Sequence, residues 1–134
     1  MKTKLTLTII GIIQLLQSVL YAGFAESSID MMFNIGAEAR QLAIMFQYAL
    51  TPAFLMIGLM LLFSRNLAVE DAKKLLLAII IAYIPLFGAF YYMASSPITN
   101  MGLADFAIDF VMFGLAILTY LKPKGLINLL ILQL

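Results

Sequence analysis

Four long apolar segments, separated by short polar ones, dominate the pattern of this chain. They cover residues 5–24, 41–63, 75–93 and 103–121. A helix of roughly 17–25 residues crosses the apolar core of a bilayer, so each segment is long enough to span. Continuous apolar runs predict helices here, because lipid cannot satisfy the open edge of a sheet. The pattern therefore predicts an all-α polytopic membrane protein, a four-transmembrane-helix bundle that forms a single domain over residues 1–134.

Basic residues are unequally distributed between the ends of these segments. If four helices alternate in direction, seven of the eight Lys and Arg residues lie at one end: Lys2, Lys4, Arg65, Lys73, Lys74, Lys122 and Lys124. Arg40 lies at the other end, together with five of the seven acidic residues. Because Lys and Arg near span ends stay on the cytoplasmic side, the pattern predicts that both termini are inside. We expect the bacterial inner (plasma) membrane.

The first segment also has features of a secretory signal peptide. Lys2 and Lys4 precede its apolar stretch, and the small residues of the tripeptide GFA follow it. However, the stretch 5–20 is longer than a typical signal core, and Gln14 and Gln17 interrupt it. We expect the segment to be retained as the first span, and cleavage after the tripeptide is the alternative.

Composition narrows the chemistry that the chain can perform. Hydrophobic residues make up 64% and charged residues 11%, the net charge is +1, and Cys and His are absent. The small net charge gives no reason to expect a nucleic-acid partner. Without Cys and His, the chain lacks disulfides, the commonest general base and the commonest metal ligand. We therefore expect no catalytic residue, no metal site, no cofactor and no enzyme activity, although a quinone or a lipid could be bound.

Several polar side chains fall within the apolar segments, where each is costly and requires an explanation. Counting ~1.5 Å per residue from the helix ends places polar groups of three helices at one height, in the half nearer Arg40. The candidate polar cluster or ligand pocket consists of Gln14, Gln17, Arg40, Gln47, Tyr48, Thr51, Asp105 and Asp109.

Two carboxylates open the fourth segment one helical turn apart. Asp105 and Asp109 share a face, and a carboxylate facing lipid would cost up to about 3 kcal/mol at the helix centre. We therefore expect both to face inward. Arg40 is the only basic residue at that end, and its guanidinium can bridge two carboxylates. The expected arrangement is an ion pair of Arg40 with Asp105 and Asp109.

Two connecting segments carry further expectations. Between the first two spans, Ser28 is expected to cap a short turn whose Ile29, Met32 and Phe33 lie on the membrane surface. After the fourth span, the apolar tail 125–134 is too short to cross the bilayer. We expect this tail to lie on the inner leaflet, to fold against the bundle or to contact a partner.

The segment GAEARQLAIMFQYALTPAFLMIGLMLLFSRN resembles the second helix of the DoxX-like group of small four-helix membrane proteins. The matching positions are the Ala39-Arg40 step, Gly58 within the apolar run, and Arg65 in the basic loop. The resemblance implies a four-helix bundle. Some members of that group are membrane subunits of oxidoreductase systems that handle sulfur compounds or quinones. By that resemblance, a chain without Cys or His would supply a quinone-side membrane anchor and not the redox centre.

Three functions fit these observations. The first is a non-catalytic accessory or scaffold subunit of a membrane complex, contacting a protein partner or a second copy through the bundle sides or the tail. The second is a binder of a small lipophilic ligand, such as a quinone, a sterol or a lipid, in the polar pocket. The third is a small transporter or proton path.

Overall fold

The computed structural model describes residues 2–123, which fold into five α-helices. These are α1 (Lys2–Gly23), α2 (Ala25–Met32), α3 (Ala37–Phe63), α4 (Val69–Ala94) and α5 (Ala107–Leu121). Short 3-10 turns, Ser64–Asn66 and Leu103–Phe106, follow α3 and precede α5. Four helices are long and apolar enough to cross a membrane: α1, α3, α4 and α5 with its 3-10 turn. The prediction of an all-α bundle with four spanning helices is confirmed.

The helices extend beyond the apolar segments that predicted them. The third apolar segment begins at residue 75, and α4 begins earlier, at Val69, where the i, i+4 spacing of Glu70 and Lys74 predicts the start of the helix. Its first turn includes Glu70 and Asp71. Acidic side chains are favourable there, because the N-terminus of a helix carries a partial positive charge. Helix α3 likewise begins at Ala37 and has Glu38 in its first turn. The predicted apolar tail, 125–134, lies outside the described residues.

Helix α1 lies between α3 on one side and the α4–α5 pair on the other. Within residues 2–123, α3 makes at most marginal contact with α4 and α5, so the bundle is open along that flank. A core of apolar side chains forms where α1 meets its neighbours: Leu7, Ile10, Leu61, Ala72, Leu76, Tyr83, Met112 and Ala116. A hydrogen bond of 2.6 Å between the buried hydroxyl groups of Thr6 and Thr119 also joins α1 to α5.

Two glycines allow α1 and α3 to approach closely. A Cβ atom added at Gly58 would lie 2.9 Å from the carbonyl oxygen of Gly11, and one added at Gly11 would lie 3.1 Å from that of Gly58. Small residues let membrane helices pack backbone to backbone, where dispersion and interhelical hydrogen bonds hold them together. The α1–α3 contact therefore depends on both positions.

Aromatic rings join α4 to α5. Phe87 stacks on Phe110, with ring centroids 4.9 Å apart, and Phe90 stacks on Phe106 at 3.9 Å. Phe113 meets Phe87 edge to face at 4.9 Å. The rings occur at i, i+4 and i+7 along both helices, so each set occupies one face. The α4–α5 interface packs through aromatic side chains, whereas the α1–α3 interface packs through glycine.

The two loops at the end of the bundle that carries Arg40 pair with each other. We call this the outer end. The backbone N–H of Asn34 donates to the carbonyl of Ile98, and the N–H of Asn100 donates to that of Met32, each at 2.8 Å. Loops 33–36 and 95–102 therefore lie together, as the predicted alternation of four helices requires.

The short turn expected at Ser28 is instead the eight-residue helix α2. Ser28 does not cap it but donates from within the helix to the carbonyl of Ala25, at 3.1 Å. Ile29, expected on the membrane surface, is buried. Because Ala25 and Ile29 are one turn apart and both buried, one apolar face of α2 packs against the bundle.

Candidate functional site

Arg40 binds the acidic residues of α2 and not those of the fourth span. Its Nε donates to Asp30 Oδ1 at 2.6 Å and one terminal nitrogen to Asp30 Oδ2 at 2.9 Å, a bidentate pair. A weaker contact, 3.4 Å, reaches Glu26 Oε2. Hydrogen bonding from this guanidinium holds the pKa of the Asp30 carboxyl below its usual range. The pair is at the exposed outer end and fastens α2 to the start of α3.

The expected pairing of Arg40 with Asp105 and Asp109 is therefore wrong. The physical reason is helix order: Arg40 is on α3, which packs on the opposite side of α1 from α5. Asp105 instead accepts a hydrogen bond of 2.7 Å from the backbone N–H of Gly102, which caps the 3-10 turn before α5. Asp109 is half-buried and faces α4, where its Oδ1 lies 3.5 Å from the hydroxyl of Tyr83.

A junction of polar groups that hydrogen-bond to one another joins α1, α2 and α3, deeper in the bundle than the Arg40–Asp30 pair. The amide nitrogen of Gln47 donates to Ser28 Oγ at 2.5 Å and to the carbonyl of Tyr21 at 3.2 Å. One turn deeper, Thr51 donates to the carbonyl of Gln47 at 2.8 Å, and Ser18 donates to that of Thr51 at 3.3 Å. Of the predicted cluster, Gln47 and Thr51 lie here, and both are buried.

Tyr48 does not belong to this junction. Its side chain is 51% exposed on α3, one residue beyond the inward-facing Gln47. A step of one residue turns the side chain about 100° around the helix axis, which directs Tyr48 away from α1.

Gln14 and Gln17 lie outside this junction and face α5. The amide nitrogen of Gln14 approaches the sulfur of Met112 at 3.8 Å. The Oε1 atoms of Gln14 and Gln17 are both buried, and neither accepts a hydrogen bond from any residue between 2 and 123. A buried amide without a partner costs about 1–3 kcal/mol, so these two differ from every other member of the predicted cluster.

A groove of about 380 Å³ runs between α1 and α5 beside Gln17. Its apolar lining consists of Ile13, Leu16 and Leu20 from α1 and Ala107, Ile108 and Val111 from α5. Leu16 and Ile108 are 57% and 54% exposed, so they form its rim. Gln17 also lines the groove through its apolar atoms, and its Oε1 is buried away from the groove surface. Gln14 is not part of the lining.

The groove and the polar groups around it offer different chemistry. The groove offers an apolar surface. Within residues 2–123, no group of three or more His, Cys, Asp or Glu side chains is placed to hold a metal ion. Among the same residues, Tyr83 is the side chain whose hydroxyl contacts Asp109.

Some of the residues that organise the site were not identified from the sequence. Glu26, Asp30 and Ser28 bind members of the predicted cluster, and all three belong to α2. The spacing i, i+4 of Glu26 and Asp30, ten to fourteen residues before Arg40, was a usable signal. The hydrogen bond between Ser28 and Gln47 had no comparable signal, because α2 lacks a long apolar run.

Comparison of the chain with protein-family models, with curated proteins and with solved structures finds no match.

Proposed function

We propose that this membrane protein is a non-catalytic accessory or scaffold subunit that holds a partner helix against α4. The observation that carries the proposal is a row of small residues on the lipid-exposed side of that helix. Ala78, Ala82, Pro85 and Ala89 follow one another at i, i+4, i+7 and i+11, and all four are exposed. These spacings confine them to one narrow stripe along the helix.

Small residues on an exposed membrane helix favour contact with another helix. Lipid tails are as apolar as Leu, so helices associate through close van der Waals packing and not through hydrophobic burial. Within this chain, the glycine contact between α1 and α3 uses that mode of packing. The α4 stripe offers the same kind of surface, and its four residues are exposed.

Site-specific photocrosslinking in cells tests the proposal. A photoreactive amino acid at Ala82 is expected to form an adduct with one discrete protein, whose mass identifies it as a different subunit or a second copy. The matched position is Ile84, which is 67% exposed on the same helix and lies outside the stripe. Adducts with lipid alone at both positions, in cells that hold the natural complement of membrane proteins, would overturn the proposal.

Location and family relationship belong to the same proposal. The distribution of seven basic residues at one end supports termini in the cytoplasm, and we place the protein in a bacterial inner membrane. The Ala39-Arg40 step, Gly58 and Arg65 support a relationship to the DoxX-like group. Under this proposal the protein is not an enzyme and needs no resident cofactor.

A second candidate function is the binding of a small lipophilic ligand between α1 and α5. It is favoured by one specific observation: an apolar groove of about 380 Å³ lies between the two helices. Pockets for small molecules are mostly apolar and have a few polar groups that fix orientation. The polar groups between α1 and α3 do not favour it, because they already bind one another.

A further inference from the structure

Two charged residues lie in line with the α4 stripe at the inner end of the helix, the end opposite the outer end. Asp71 and Lys74 precede Ala78 by seven and four residues, so they continue the spacing of the stripe. At about 100° per residue, both fall with the four stripe residues inside a sector of about 80°. Both are exposed, and the sector faces away from the buried Leu76 and Tyr83 of the same helix. One continuous face of α4 therefore carries an acid, a base and then small residues.

Asp71 and Lys74 bind each other, and both remain open to a further partner. Lys74 Nζ donates to Asp71 Oδ1 at 2.8 Å, while the Lys74 and Asp71 side chains are 78% and 53% exposed. An ammonium group has three hydrogens and a carboxylate accepts on both oxygens, so each has hydrogen-bonding capacity left. A helix that docks on this face must therefore present an anion to Lys74 and a cation to Asp71, one turn apart and at the same depth.

A second copy of α4 meets this requirement by symmetry. The basic residues lie at one end of the spans, so every copy enters the membrane in the same orientation. A twofold axis along the membrane normal brings equal depths of two parallel copies together, and each contact then occurs twice. We infer that the α4 stripe binds the α4 stripe of a second copy, in a parallel homodimer with reciprocal Asp71–Lys74 ion pairs at its inner end. This inference rests on the proposed function and names its partner helix.

The small residues allow the two copies of α4 to approach closely beyond the charged pair. Ala78 and Ala82 are four residues apart, and Pro85 and Ala89 repeat that spacing. Small residues four apart are typical of contacts between membrane helices. The stretch from Ala78 to Ala89 is about 16 Å long, roughly half the apolar thickness of a bilayer. Close approach over that length needs short side chains on both helices at the same depths, which a second copy supplies.

Disulfide crosslinking of the full chain in native membranes tests the arrangement. The sequence has no Cys, so Ala78→Cys and Ala82→Cys each introduce a single thiol. Mild oxidation is expected to convert both variants into a covalent dimer of twice the mass of the chain, because each thiol faces its counterpart across the axis. Ile84→Cys is the matched control, since Ile84 is 67% exposed on the same helix and outside the stripe, and it should remain a monomer. Equal crosslinking of all three variants, or none at the stripe, would overturn the inference.

Charge reversal in the Ala82→Cys background tests the reciprocal ion pairs. Asp71→Lys leaves only cations at the inner end of the dimer and Lys74→Asp leaves only anions, so each variant alone should give about tenfold less disulfide dimer. When the two variants carry different tags and share one membrane, a mixed dimer should form, because cations then face anions. Recovery in the mixture also establishes that both variants fold. Glu70→Lys, the same charge change outside the stripe, is the matched control and should leave the dimer intact.

The inference and the proposed function fail on different results. Undiminished disulfide dimers in both charge variants, or no mixed dimer from the pair, would overturn the reciprocal contact between two copies. A photoadduct of Ala82 with a different protein, together with no disulfide dimer at Ala82, would overturn the inference and leave the proposed function standing. Photoadducts with lipid alone, again without a disulfide dimer, would overturn both.

Discussion

The two sides of α1 differ in whether the polar groups at one depth of the membrane have hydrogen-bond partners within the chain. Toward α3, the helices approach through Gly11 and Gly58. There the amide of Gln47 and the hydroxyls of Thr51 and Ser18 each donate to an acceptor within the chain. Toward α5, a groove separates the helices beside Gln17, whose Oε1 is unpaired within residues 2–123. One helix therefore carries a closed structural contact and an open surface.

This difference distinguishes a polar residue that holds the fold from one whose buried oxygen has no partner among the described residues. In hydrocarbon, a polar side chain is tolerated when its hydrogen bonds are made. Gln47 makes two of them to neighbouring helices, so its removal should weaken the fold. Gln17 makes none through its Oε1 atom within residues 2–123, so its removal should not weaken the fold. Gln47 and Gln17 are the same residue type at the same depth, so the difference in expected stability comes from their hydrogen-bond partners.

The largest expected effect is on the closed side. Gly58→Ala would place a Cβ atom 2.9 Å from the backbone oxygen of Gly11, and backbone cannot move aside as a side chain can. We expect α1 and α3 to separate, with a loss of about 2 kcal/mol in the free energy of unfolding. Unfolding of purified protein by increasing SDS in mixed micelles measures it.

The matched control for that variant is Gly88→Ala. A Cβ atom there meets nothing within 4 Å, and Ala is the better helix former. The control should be neutral or up to about 1 kcal/mol more stable. If Gly58→Ala were as stable as the control, the close approach of α1 and α3 would be refuted.

A smaller effect is expected at the exposed outer end. Arg40→Ala removes the bidentate pair with Asp30 that fastens α2 to α3, and exposed pairs contribute little. Asp30→Asn in the Arg40→Ala background should restore part of the loss, because it removes an unpaired carboxylate. Asp105→Asn with Asp109→Asn should not restore it. The melting temperatures of the wild type and the three variants measure this, and rescue by Asp105→Asn with Asp109→Asn alone would contradict the observed pairing.

The Arg40–Asp30 pair also predicts a dependence on pH. The pKa of Asp30 is lower in the folded protein than in the unfolded chain, so its contribution is present above the unfolded value, about pH 4. The contribution is lost as the pH falls through the lower, folded pKa. Acid titration of wild-type stability should therefore be steeper than that of Arg40→Ala. Identical acid profiles would indicate that the pair does not form in solution.

The spans could be predicted from the sequence because a long apolar run in lipid forms a membrane-spanning helix. Helix neighbours could not be predicted in the same way. Helices that are apolar all round have no narrow stripe that identifies the side facing the core. The pairing of Arg40 with Asp105 and Asp109 assumed that α3 and α5 were adjacent. The structure places α1 between them, and α2, too short and polar to be predicted as a helix, supplies the acids.

Parts of the packing did leave signals in the sequence. The phenylalanines at 106, 110 and 113 and the aromatic residues at 83, 87 and 90 share the spacing i, i+4, i+7, and the two sets face each other. Depth counting also placed Gln47 and Thr51 one turn apart on the inward face of α3. It could not separate Gln14 and Gln17 from them, because depth along the axis does not reveal which neighbour a side chain meets.

The difference between the two sides of α1 is tested most directly by comparing Gln47→Leu with Gln17→Leu. The measurement is the free energy of unfolding of each variant in the same micelles. Gln47→Leu leaves the Tyr21 carbonyl and the Ser28 hydroxyl without their amide partner, so we predict a loss of about 1 kcal/mol. Gln17→Leu replaces an unpaired amide with an apolar side chain, so we predict no loss or a gain. A loss in Gln17→Leu that equals or exceeds that in Gln47→Leu would contradict the account.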